Sequence, residues 1–230
     1  MQMTTTEFFE QLDSRIAKYD LLCHPFYKAW TAGELSRDDL REYAQDYFHH
    51  VEAFPGYLEE FAARLEDGQL RRVVMMNRDD EMGCEGARPH AELWLDFVEG
   101  MGGDCNLAEH APVPGIRDLT ASFHRIASEG APEEALAAFY AYESQVPRVA
   151  CEKAGGLRQM YGADEKTCGY FTLHTTADVY HSRIWRHQLG KFIKANPTIA
   201  DKALKAGENA AKALWNALDG IEAARVVRTA

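Results

Sequence analysis

Hydrophobic positions along this 230-residue chain recur at intervals of three and four. No stretch of convincing length alternates with the period of two that a half-buried strand shows. Phe8, Leu12 and Ile16 form the first such stripe, behind Thr4, Thr5 and Thr6, each of which can accept from a free N–H at a helix start. A short helix is expected over 24–32. Ser36-Arg-Asp-Asp39 resembles a capping arrangement that opens a long helix to about residue 65, with Leu40, Tyr43, Tyr47, Val51 and Phe54 on one side. Pro55-Gly56 should bend that helix in its middle. Further helices are expected over 69–83, 90–101, 116–129, 132–153, 164–195 and 199–218. Gly102-Gly103, Pro112, Pro114 and Gly115 mark 102–115 as the clearest loop, and Asn196-Pro197 is a stop signal. Pro, Gly and Ser never cluster into a linker, so the pattern reads as one all-α domain spanning 1–230.

Composition narrows the class. With 25 basic against 36 acidic residues the formal charge is −11, and no basic stripe stands out. That argues against nucleic acid or an anionic membrane as the main partner. No apolar run approaches the roughly 20 residues of a membrane span, and the N-terminus lacks a basic segment followed by an apolar one. Cys23, Cys84, Cys105, Cys151 and Cys168 are odd in number, scattered, and contain no CxxC. This points to a reducing cytoplasm and away from thiolate zinc.

The chemistry concentrates in His174-Thr-Thr-Ala-Asp178-Val-Tyr-His181. On one continuous helix, offsets of four and seven bring imidazole, carboxylate and imidazole to a single face. A buried carboxylate needs compensating charge, which a metal ion would provide; the same spacing also suits a solvated helix face. Partner ligands should come from other helices. Glu143 lies in an aromatic helix four residues before Pro147, which should kink it, although an ion pair with Arg148 is an alternative. Glu81 follows two aspartates and could belong to a charged patch; His90 could cap the helix it precedes. Together the six offer three imidazoles and three carboxylates, a nitrogen and oxygen set that favours iron or manganese over structural zinc. Several carboxylates on separate helices can bridge two metals.

His24-Pro-Phe-Tyr27-Lys-Ala-Trp30, Tyr43-Ala-Gln-Asp-Tyr47, Ala53-Phe-Pro-Gly-Tyr57, Tyr142-Glu143-Ser-Gln-Val-Pro-Arg148 and the His174…Asp178…His181 triplet carry a family resemblance. The chain resembles the haem-oxygenase-like di-metal oxidases grouped with the Chlamydia protein associating with death domains. The pyrroloquinoline-quinone synthesis protein C and TenA proteins are more distant kin. The resemblance covers about 7–190. It implies a seven-helix, haem-oxygenase-type bundle, usually dimeric, with Glu81, His90, Glu143, His174, Asp178 and His181 as metal ligands. The Glu81–His90 segment is two residues longer than the chlamydial pattern, which leaves Glu85 as a rival to Glu81.

For the activity, the resemblance implies an O₂-using Fe/Fe or Fe/Mn oxygenase that makes p-aminobenzoate for folate synthesis, reduced by an unknown electron donor. In that group the protein is consumed: the residues matching the ring source and the amine donor are Tyr27 and Lys153, with Tyr43 as a radical relay. Two alternatives are a multiple-turnover di-iron oxidase of a free small molecule and a metal-free binding or interaction protein of TenA type.

Overall fold

In the computed structural model, residues 3–229 are described, apart from the side chains of Glu85 and Thr229. The described residues fold into eleven α-helices linked by turns, with no strand among them. The first, α1 (Thr5–Ala17), starts as its sequence directs. Thr4 accepts from the Glu7 N–H at 3.2 Å, and the Glu7 carboxylate accepts from the Thr4 N–H at 2.8 Å. Its stripe of Phe8, Leu12 and Ile16 is buried; each such side chain contributes about 2 kcal/mol of hydrophobic stabilisation. The short α2 (Pro25–Ala32) ends on Gly33, whose φ of +71° closes the helix in the left-handed region. Ser36 and Asp39 form the expected capping box for α3 (Arg37–Ala63), which runs unbroken through Pro55.

Two of the expected helices are each interrupted. The 132–153 segment is α7 (Pro132–Glu143) followed by α8 (Val146–Tyr161). Pro147 lies in the first turn of α8, where its missing N–H costs nothing, so the expected kink is a full restart. The 164–195 segment is α9 (Gly169–His174) and α10 (Ala177–Ala195). Thr175 and Thr176 sit at that break, and their hydroxyls donate back to the carbonyls of Thr172 and Leu173 at 2.7 and 3.2 Å. Such back-bonding competes with the helical ladder. His174, Asp178 and His181 therefore do not share one continuous helix face.

Between α3 and α7 lie α4 (Gln69–Glu81), α5 (His90–Gly100) and α6 (Pro114–Glu129). The last helix, α11 (Ala200–Thr229), is longer than the expected 199–218 and packs against α7, α6 and α1. It approaches closely enough that a Cβ on Gly207 would lie 2.5 Å from Leu12 Cδ1.

The centre of the bundle is α7. Every residue from Glu133 to Glu143 is buried except the half-buried Glu134, and Ala135, Ala137, Ala138 and Ala141 let neighbours approach its backbone. A helix apolar on every side belongs in a core, and here it carries Glu143 to the middle of the protein at its C-terminal end. No helix among the described residues is long and apolar enough to cross a membrane.

Candidate metal centre

Helix ends deliver the candidate ligands. Glu81 is the last residue of α4, and Gly83 then turns the chain with φ +76°. His90 opens α5, Glu143 closes α7, and His174 closes α9. Asp178 lies in the first turn of α10, where the helix dipole favours an anion, and His181 follows one turn later. All six are buried, none more than 5% exposed.

They fall into two groups that share Glu81. One joins Glu81, His90 and His174; the other joins Glu81, Glu143, Asp178 and His181, with ligand atoms in each group within 4.8 Å of one another. A carboxylate common to both groups is what a bridge between two ions requires. The rival ligand Glu85 has a side chain outside the described residues. The bland alternatives for the other residues fail on burial and pairing: Glu81 is not on a surface patch, and Arg148 pairs with Asp20 at 3.0 Å, not with Glu143.

The ring nitrogens show how the groups are aimed. His174 Nδ1 is 2.7 Å from the Tyr170 carbonyl. A carbonyl only accepts, so Nδ1 carries the proton and Nε2 presents a lone pair. His181 Nε2 is 3.1 Å from Asp80 Oδ2, which leaves Nδ1 facing Asp178 at 3.4 Å and Glu143 at 3.9 Å. The Nδ1 atoms of His90 and His181 are buried without a hydrogen-bond partner, although His90 Nδ1 lies 2.8 Å from Glu81. Buried polar atoms without partners are costly, and two divalent cations would satisfy both nitrogens and balance three carboxylates. The donor set fits two ions.

Protonation in the metal-free protein points the same way. Burial pushes the Glu143 carboxyl well above the usual carboxylate range. Burial pulls His181 down, but the Asp178 and Glu143 carboxylates outweigh it and push the imidazole up to about 10. At His90, burial is likewise outweighed by Glu81, and the group is raised; at His174 burial wins and the group is lowered. The Glu81 carboxyl is lowered despite burial because His90 is beside it. Glu143 is fixed by two donors, Asn77 Nδ2 at 3.1 Å and the Trp185 indole N–H.

Beside the ligand groups lies an aromatic layer. Tyr142 and Tyr170 line a small cavity of about 10 Å³ with Glu81, Glu143, His174 and Asp178, and also line a second of about 30 Å³ with Tyr27, Tyr43 and Tyr47. The Tyr27 and Tyr43 hydroxyls are hydrogen-bonded at 2.8 Å. Lys153 is fully buried, its Nζ 3.8 Å from the Tyr27 ring centroid and 3.4 Å from the Tyr27 carbonyl oxygen. Burial lowers the Lys153 amine well below the usual lysine range and raises both phenols. A surface lysine is thereby excluded. The structure thus gathers all nine sequence-predicted residues into two adjoining sites. Rings bridge them: Tyr43 to Trp94 at 5.9 Å, Trp94 to Tyr170 at 4.7 Å, and Tyr170 stacked on His174 at 3.9 Å.

Sequence reasoning missed Asn77, Trp185 and Tyr170, and passed over Asp80 as part of an acidic run. The spacing of Asn77, Asp80 and Glu81 at offsets of three and four is the one signal that could have found two of them.

Comparison with known proteins adds identity to this geometry. Residues 41–215 match a family described as iron-containing redox enzymes. The chain is 35% identical over 216 residues to the 4-aminobenzoate synthase of Chlamydia pneumoniae, covering 93% of this chain and 94% of that protein. It is 37% identical over 230 residues to the 4-aminobenzoate synthase of Nitrosomonas europaea, covering 95% and 92%. Among solved structures, a domain with a haem oxygenase-like fold from Shewanella denitrificans superposes with a TM-score of 0.82 at 16% identity, covering 99% of this chain and 96% of that one.

Proposed function

The chain belongs to the iron-containing redox enzymes of haem-oxygenase-like fold, and we propose that it is an O₂-dependent 4-aminobenzoate synthase that consumes its own Tyr27 and Lys153. Glu81, His90 and His174 would hold one ion, and Glu81, Glu143, Asp178 and His181 the other. Iron, alone or with manganese, would supply O₂-dependent oxidation there. Everything else is asked of the chain itself.

The observation that carries the reading is the amine over the ring. Lys153 Nζ stands 3.8 Å from the Tyr27 centroid in a site closed to solvent. Desolvation lowers the Lys153 pKa and so favours the neutral amine, the form whose lone pair is the nucleophile. Burial also holds the Tyr27 phenol in its protonated form. Oxidising that phenol requires its proton to leave with the electron. The Tyr43 oxygen at 2.8 Å could take both once Tyr43 had itself been oxidised and had lost its own proton, which would make Tyr43 the relay. Tyr27 would provide the aromatic ring of the product and Lys153 its amino group. A substrate that is part of the chain needs no entry channel, which accords with a tyrosine cavity of only about 30 Å³.

The test uses protein carrying ring-labelled tyrosine and ¹⁵N-lysine, loaded with iron and manganese, reduced, and exposed to O₂. The expected 4-aminobenzoate carries both labels, does not exceed one molecule per chain, and is absent from Tyr27→Phe and Lys153→Ala. Repeated turnover of an added small molecule with Tyr27 intact would replace this reading with that of an ordinary oxidase.

A further inference from the structure

The two ligand groups are aimed by different means. His174 is held by a backbone carbonyl, which neither rotates away nor changes charge, and its ring is stacked on Tyr170. His181 is held by a side chain, Asp80, at 3.1 Å. The two partners differ in exposure: the Asp80 side chain is 54% exposed and that of His181 is 3% exposed. Asp80 lines an open cleft of about 510 Å³ whose wall also includes His90 and His181, one imidazole from each group. Asp80 itself belongs to neither ligand group.

Asp80 is also placed to act on one group alone. It precedes Glu81 on α4, yet its carboxylate reaches across to α10 and engages the far nitrogen of His181. Accepting a hydrogen bond from Nε2–H fixes the tautomer with a bare Nδ1 and prevents the ring from turning. It also makes the imidazole more electron-rich, a recurrent role of carboxylates behind metal-bound histidines. Nothing comparable reaches His90 or His174 from Asp80 among the described contacts.

We propose that Asp80 is a positioning residue for the ion held by Glu143, Asp178 and His181, so that the affinities of the two metal positions can be changed separately. The inference rests on the two-position reading of the site, though not on the reaction carried out there. Removing the Asp80 carboxylate frees the His181 ring and the wrong tautomer becomes accessible. One position then weakens while the other keeps its ligands and its supports.

The test is a titration of the metal-free protein with Mn²⁺ alone, without O₂, reading free Mn²⁺ by its electron paramagnetic resonance signal. Wild type, Asp80→Ala and Asp80→Asn are compared, with the thermal unfolding of each metal-free protein measured alongside. Wild type is expected to take up two ions. In Asp80→Ala one should bind with wild-type affinity and the other 10- to 100-fold more weakly, the range seen when such partners are lost. Asp80→Asn keeps an oxygen that accepts from Nε2–H and should recover part of that loss. Metal-free unfolding should fall only modestly in Asp80→Ala, which leaves the buried His181 Nε2–H without its acceptor, and less in Asp80→Asn. Two wild-type ions in Asp80→Ala, or equal weakening of both, overturns the proposal. Should Asp80→Ala fail to fold, Asp80→Asn decides: full wild-type binding of both ions counts against a role for the charge. Fewer than two ions in wild type would overturn the two-position site itself, whatever product the enzyme makes.

Discussion

Replacing Lys153 by methionine, an unbranched side chain of similar length without charge, should stabilise the metal-free protein, and the gain should shrink as pH rises. In the fold the amine is fully buried, with the Tyr27 and Trp30 rings 3.8 and 4.7 Å from Nζ. A desolvated ammonium over such rings gains about 2 kcal/mol, less than the several kcal/mol needed to bury a charge. Desolvation therefore wins, and the folded-state pKa is lowered. The unfolded chain keeps a lysine pKa of about 10.4. Between those two values the unfolded state binds one more proton than the folded state, so wild-type stability rises with pH by about 1.4 kcal/mol per unit. Methionine removes that dependence. The advantage of Lys153→Met should thus fall by up to about 2.5 kcal/mol between pH 8 and pH 10, the slope flattening as the unfolded lysine itself begins to lose its proton. Urea unfolding of both metal-free proteins at matched pH measures it, since titrations common to both cancel in the difference. A difference that does not change with pH would mean that Lys153 stays charged in the fold. It could not then act as the nucleophile, and the amine-donor role would fall with it.

Other substitutions test neighbouring parts of the same argument. Tyr27→Phe strands the Tyr43 hydroxyl in the core and should cost about 1–3 kcal/mol in urea unfolding; an unchanged stability would mean that Tyr43 finds another partner. Gly83→Ala places a Cβ 2.5 Å from the Ala87 carbonyl oxygen at a φ of +76°. The turn joining Glu81 to His90 must shift, and metal capacity measured by elemental analysis should fall below wild type even where the variant folds. Adding metal at 100 times its dissociation constant should raise stability by about 2.7 kcal/mol per site, read as a higher unfolding temperature that a chelator reverses. No shift would count against a site shaped for cations.

The helical faces were legible because periodicity is local: Phe8, Leu12 and Ile16 need only their own spacing to predict burial, and all three are buried. The ligand types were legible for the same reason, but their arrangement was not. The spacing from His174 to His181 suggests one continuous face, whereas two adjacent threonines break the helix between His174 and Asp178. That break matters to the chemistry. An uninterrupted helix would direct all three side chains along one line, but here His174 joins His90 in one group while Asp178 and His181 join Glu143 in the other. The same logic holds across the site. Glu81, His90, Glu143 and His174 each stand at a helix end, where the backbone changes direction and can aim a side chain that a regular helix could not. Lys153 shows the opposite limit. Its burial depends on where α8 meets α2, at a contact so close that a Cβ on Gly156 would lie 3.0 Å from the Trp30 ring. No periodicity within α8 encodes that approach. Without the family resemblance, a lysine near a helix end reads as surface. Packing makes it the one buried amine set against the Tyr27 ring, and packing between distant segments is what a one-dimensional pattern carries least.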